Sequence, residues 1–259
     1  MIVQPVTDYV CAAVDRSLDI ESHITKVARI FYALKTNLER LKLYYEKVQS
    51  AGDFSVDSRY FPSITAYRHE NKTIEFEYVG FLKNCPDCIT LRAMTKTKPA
   101  QDIVVKFVER YGERAHCLLA DVDLAPEIYF CGSPHLSKEQ PSYDSISMVV
   151  MEYIDGESLA KAKPSLNKEA TDMVRSQLEQ ALGLLHRHGF VFGDLRSPNV
   201  IITKKNEVKL IGFDWAGEEG QAKYPYLINP DIDRPESVKA LAFIQKAHDL
   251  EMLNRMFST

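Results

Sequence analysis

Residues 189–202, GFVFGDLRSPNVII, constrain this chain more than any other stretch. Before them, Ala170, Met173, Val174, Leu178, Ala181, Leu182 and Leu185 recur at the spacing of one helix face, and Gly189 is placed to end that helix. After them, Val200–Thr203 and Val208–Ile211 read as two short strands. The chain must therefore set a loop carrying Asp194 and Asn199, five residues apart, between a helix and a hairpin. A carboxylate and an amide in such a loop suit phosphoryl transfer. The carboxylate accepts or orients a hydroxyl proton, and the amide oxygen holds a divalent cation beside the phosphates. A second metal-holding carboxylate is expected thirteen residues past Asn199, in the stretch Ile211-Gly212-Phe213-Asp214.

The remainder of the chain is organised around this loop. From Ile20 to Val48 apolar residues fall at alternating steps of four and three, which predicts a long helix with a wide apolar stripe. Two readings of that helix stand: it docks on its own domain, or it serves dimerisation or a partner. Residues 50–72 read as a connector. Strands are expected at Ile74–Leu82, Ile89–Thr97, Ile103–Val108, Glu127–Cys131 and Ser147–Tyr153, with a short helix at Gly112–Ala120 after the third. A final helix runs through Met256.

With 259 residues, 45% of them hydrophobic, the chain can bury a sizeable core. Its net charge of −4 gives no nucleic-acid footprint. No apolar run approaches the ~20 residues that span a bilayer. The start, MIVQPVTDYVCAAVDRS, lacks the pattern of a secretory signal, so an intracellular setting, cytoplasm or nucleus, is expected. The five cysteines do not read as a disulfide framework. Cys85 and Cys88 form a CxxC, but no second ligand pair follows at zinc spacing, and the intervening Pro86-Asp87 favours a turn.

Gly193-Asp194-Leu195-Arg196-Ser197-Pro198-Asn199 resembles the HRDLKPEN loop of the protein-kinase superfamily, and Ile211-Gly212-Phe213-Asp214 resembles the strand leading into DFG. The fuller text, FVFGDLRSPNV, then GFDWAG, then KYP, is similar to divergent kinase-like domains common in fungal genomes and to the kinase portions of Crinkler-type effectors. The resemblance covers roughly residues 20–257. It implies an α+β, two-lobed protein-kinase-like fold. The small β-rich N-lobe would span 73–154 and a helical, truncated C-lobe 155–259, preceded by the extra helix and connector of 1–72. ATP and magnesium are the implied cofactors, and a protein hydroxyl the implied acceptor.

The resemblance also assigns residues. Lys106 matches the strand lysine on the α- and β-phosphates, and Glu113 is the best match for its glutamate partner, although the spacing is short. Met151 sits at the gatekeeper position, with Glu152, Tyr153 and Ile154 as the hinge that would bind an adenine edge. Asp194 matches the catalytic base, Asn199 the metal-binding amide, and Arg196 the loop lysine on the γ-phosphate. Asp249 matches a buried aspartate that braces the catalytic loop, or else caps a helix.

Three departures matter. The DFG aspartate position is Gly212, which offers no ligand atom; Asp214 substitutes only if the backbone turns differently, and otherwise fixes the Trp215 turn. No glycine-rich phosphate loop lies between the first two strands. Phe192 and Gly193 replace the histidine and arginine of HRD. The expectation is therefore an ATP-dependent protein kinase of Ser/Thr type, weak or inactive. The alternatives are a pseudokinase scaffold and a small-molecule kinase of the aminoglycoside phosphotransferase style.

Overall fold

The computed structural model describes residues 20–47, 61–85, 88–134 and 146–258, and the chain divides into two units, Met1–Ser63 and Ile64–Thr259. The first unit holds helix α1, Ile20–Lys47, within one residue of the range read from the four–three spacing. Ile24, Phe31, Leu34, Leu38 and Leu41 on its apolar stripe are exposed. Residues 1–19 and the first part of the expected connector, 50–60, lie outside the described residues.

The second unit begins with strands β1 (Ala66–His69), β2 (Lys72–Cys85), β3 (Cys88–Thr95) and β4 (Asp102–Val108). Helix α2 (Glu113–Ala120) and strands β5 (Ile128–Gly132) and β6 (Ser147–Glu152) follow. The strands form one antiparallel sheet in the order β1-β2-β3-β4-β6-β5. Strand β1 falls within the expected connector. Glu70 and Asn71, at φ 46° and 65°, close a two-residue hairpin that pairs His69 with Lys72; two consecutive left-handed residues match the twist of such a turn. Four residues ending in Arg68-His69 are too few and too polar to show alternation. Cys85 and Cys88 pair across the β2–β3 hairpin, and the two residues between them lie outside the described set.

The helical half comprises β7 (Gly156–Ser158), α3 (Leu159–Ala162), α4 (Lys168–Arg187) and β8 (Phe190–Val191). Strands β9 (Val200–Thr203), β10 (Val208–Leu210) and β11 (Gly217–Glu218) and helix α5 (Lys246–Phe257) complete it. Helix α4 starts where Asn167 Oδ1 accepts from the Ala170 amide at 2.8 Å, which satisfies one free donor of the first turn. Val174, Leu178, Ala181, Leu182 and Leu185 are buried as their spacing required. Met173, expected on that face, is half exposed instead, because it sits at the edge of the stripe, one position before Val174. One continuous apolar core joins α2, α4, β9, β10 and α5. Residues 219–245, read from sequence as a polar loop, are tied down: Tyr224 and Ile244 are buried, and the Ile244 amide donates to the Ala222 carbonyl at 2.9 Å.

Candidate active site

Alternation along β4 sends Ile103, Val105 and Phe107 to one face and Lys106 to the other. Lys106 is nonetheless buried, since its Nζ meets Asp214 Oδ2 at 2.5 Å. This contact links the sheet to the segment that follows β10. That segment is pinned from the sheet side. The Gly112 amide donates to the Phe213 carbonyl at 2.9 Å, and Arg110 Nε donates to the Asp214 carbonyl at 3.0 Å. The Phe213 ring stacks on His116 of α2, with centroids 4.3 Å apart, and meets Phe192 edge-on at 5.1 Å. Asp214 is therefore a positioned carboxylate. Its Oδ1 is buried without a hydrogen-bond partner.

The expected Lys106–Glu113 pair is not formed among the described residues. Glu113 is exposed in the first turn of α2 and acts on the Cys131 thiol, which burial first and Glu113 second push up to about 12. The connection from β4 to α2 is short, so the residue that α2 presents to the centre is His116, one turn further on. His116 Nε2 lies 2.8 Å from the Pro126 carbonyl, which can only accept, so Nδ1 accepts from the Tyr111 hydroxyl at 2.7 Å. Burial holds the imidazole down at about 4, so it is neutral.

Across the cleft, Asp194 and Asn199 meet as their spacing suggested. Asn199, buried, donates Nδ2 to both the Asp194 carbonyl and its Oδ2 at 2.8 Å. Arg196 Nε donates to the same Oδ2 at 3.0 Å. Burial raises the Asp194 carboxyl above its ordinary range, against the opposing pull of Arg196, Asn199 and Arg234. The loop is braced from below by Asp249, whose Oδ2 and Oδ1 accept from the Phe192 and Gly193 amides, each at 2.8 Å. His186 Nε2 lies 3.0 Å from Asp249 Oδ2. The N-cap of α5 is Gln245, so Asp249 braces the loop and does not cap the helix. Gly193 must be small: a Cβ there would stand 2.8 Å from the Ile244 side chain, at a φ of +81°.

Gly212 stands directly against Asn199. A Cβ on it would lie 3.1 Å from the Asn199 amide oxygen, so any side chain at 212 would lean on Asn199. Met151 is buried on β6 beside Val104 of β4. The Glu152 amide donates to the Glu127 carbonyl at 2.9 Å, so of the expected hinge residues Glu152 has its amide already engaged within the sheet half. The Tyr153 ring lies under the Arg92 guanidinium at 4.4 Å. Sequence reasoning missed Arg234. Its guanidinium is buried, lies over the Trp215 ring at 5.3 Å and reaches Asp194 Oδ1 at 3.5 Å. It stands 40 residues from Asp194, within a segment without periodicity, so nothing in the text pointed to it.

The family model for the protein kinase domain matches residues 136–240, a span that holds Asp194, Asn199 and Arg234 and starts beyond Lys106. A probable cAMP-dependent protein kinase catalytic subunit of Encephalitozoon cuniculi is 24% identical over 56% of this chain and 47% of its own length. The lipopolysaccharide core heptose(II) kinase WaaY of Escherichia coli is 32% identical over 36% of each chain. The chain spans less than half the length of the curated relatives it matches. The structure of the kinase PK-1 of Cydia pomonella granulovirus superposes with a TM-score of 0.53 at 17% identity, over 69% of this chain and 65% of that one. Together with the two-lobed α+β architecture, these matches give the chain a protein-kinase-like fold, with the family model itself covering residues 136–240.

Proposed function

We propose that the domain is an ATP-dependent phosphotransferase of Ser/Thr protein-kinase type, working at reduced rate because Gly212 supplies no metal ligand. The observation that carries this reading is Asp214, held by Lys106 with a buried oxygen left without a partner. An orphaned carboxylate oxygen costs desolvation energy unless a ligand completes it. Lys106, Asn199 and Asp214 fit a magnesium–nucleotide group, since magnesium usually takes one or two carboxylates and completes its shell with phosphates and water. Asn199 and Asp214 would hold the ion, Lys106 would meet the α- and β-phosphates, and Met151, Glu152 and Tyr153 would border the adenine. Bound there, magnesium would neutralise charge on the phosphates.

Asp194 accepts the proton of the acceptor hydroxyl as the oxygen bonds to the γ-phosphorus and the bond to the ADP oxygen breaks. Arg196 holds the Asp194 carboxylate from the loop and would meet the γ-phosphate of a bound nucleotide. The test is calorimetry of ATP binding with and without magnesium, on the wild type and Asp214→Asn, followed by transfer assays on Asp194→Asn. Binding that magnesium strengthens, and that Asp214→Asn weakens, supports the reading. Binding indifferent to both sinks it.

Gly212 favours a second reading, a pseudokinase that binds partners without turnover. The likeness to a heptose kinase supports a third, transfer to a small hydroxylated acceptor. The wording FVFGDLRSPNV, GFDWAG and KYP supports a place among fungal and Crinkler-type kinase-like domains. An intracellular setting suits the free thiols Cys117 and Cys131. The exposed apolar stripe of α1 supports self-association through that helix. No helix among the described residues is long and apolar enough to cross a membrane.

A further inference from the structure

Asp194 uses its two oxygens differently. Oδ2 takes two bonds from its own loop, Arg196 Nε at 3.0 Å and Asn199 Nδ2 at 2.8 Å. Oδ1 is met by Arg234 Nη2 at 3.5 Å, from a segment that joins the loop only through tertiary structure. That separation is long for a hydrogen bond, so Oδ1 keeps lone-pair capacity for an incoming hydroxyl. It is short enough for strong attraction between charges that are 8% and 12% exposed.

The guanidinium is held on its other sides as well. Nη1 donates to the Asn229 carbonyl at 2.9 Å, and the Trp215 ring lies beneath at 5.3 Å. A turn in which Asn229 Oδ1 accepts from the Asp231 amide at 2.8 Å presents that carbonyl. Burying a guanidinium is costly unless a counter-charge is paired with it, and Asp194 is the carboxylate it meets.

We propose that Arg234 is a positioning residue of the reaction centre. It orients the Asp194 carboxylate through Oδ1, so that the aim of the base depends on residues 219–245 being in place. This inference rests on the phosphotransfer reading of the site.

The experiment combines steady-state transfer with a double-mutant cycle. Arg234→Met should lower kcat roughly tenfold and leave the KM for ATP within about twofold, because the interaction lost belongs to the base and not to the nucleotide. Arg234→Lys should recover part of that loss. Trp215 is the single tryptophan of the chain, so acrylamide quenching reads the site directly. Arg234→Met should raise the quenching constant in the wild type and change it far less in an Asp194→Asn background, since contacting residues couple. Equal effects in the two backgrounds, or a raised KM with kcat unchanged, overturn the proposal. If the wild type shows no transfer with any acceptor, the phosphotransfer reading fails, and the quenching cycle alone decides whether Arg234 holds Asp194.

Discussion

At Gly212 the backbone takes a φ of +82°, and a side chain would lean on the Asn199 amide. Aspartate tolerates the left-handed region better than most residues, at a cost of about 1 kcal/mol. Gly212→Asp is therefore expected to fold with slightly lowered stability and to tighten magnesium-dependent ATP binding about tenfold, by restoring a carboxylate beside Asn199. A folded variant without that gain in calorimetry would count against the alignment of this segment with DFG. Asp214→Ala leaves Lys106 as a buried cation without its partner. Because Asp214 is one-third exposed, the expected loss is about 2 kcal/mol in urea melts, below the full cost of breaking a buried pair.

Two helices hold the centre in shape, and each does so through one polar residue. Asp249 of α5 satisfies two loop amides that have no other acceptor in the loop. Asp249→Ala strands both, and roughly 3 kcal/mol of stability should go with them, together with transfer activity. On α2, His116 is neutral in the fold, with its pKa lowered to about 4 by burial. The unfolded chain takes up that proton near pH 6.5 and the folded one does not, so the unfolded state binds more protons as pH falls. His116 should thus contribute full stability above pH 6.5 and lose about 3 kcal/mol of it between pH 6.5 and 4. His116→Phe should flatten that part of the pH–stability curve. Helices α1 and α4 were legible in the sequence because their apolar stripes are long and periodic, whereas α2, with eight residues, offered only a short amphipathic segment. The role of Glu113 was misplaced because the resemblance fixes which residue types pair, whereas the short β4–α2 connection decides which residue of the helix faces the centre. Strand β1 escaped because its signal lies in the hairpin turn and not in its own four residues.

For the molecule as a whole, the division after Ser63 gives a direct expectation. A chain beginning at Ile64 should fold and bind nucleotide as the full chain does, while losing any self-association in sedimentation that α1 provides. The Asp194–Asn199 loop was readable because it is local, a pair five residues apart between a helix and a hairpin, and the two-lobed plan followed from the resemblance that loop carries. The Lys106–Asp214 pair spans 108 residues and Arg234–Asp194 spans 40, and such meetings are set by how whole layers pack. Arg110 shows what that packing does mechanically. One guanidinium grips two carbonyls, Asp214 at 3.0 Å and Lys223 at 2.7 Å, from the end of the strand that carries Lys106. Residues 213–224 are thus strapped to both halves: to the sheet through Arg110 and Lys106, and to the helical half through the β8–β11 pairing and the Phe213–Phe192 contact. A strap anchored at both ends fixes the spacing between Lys106–Asp214 on one side and Asp194–Asn199 on the other.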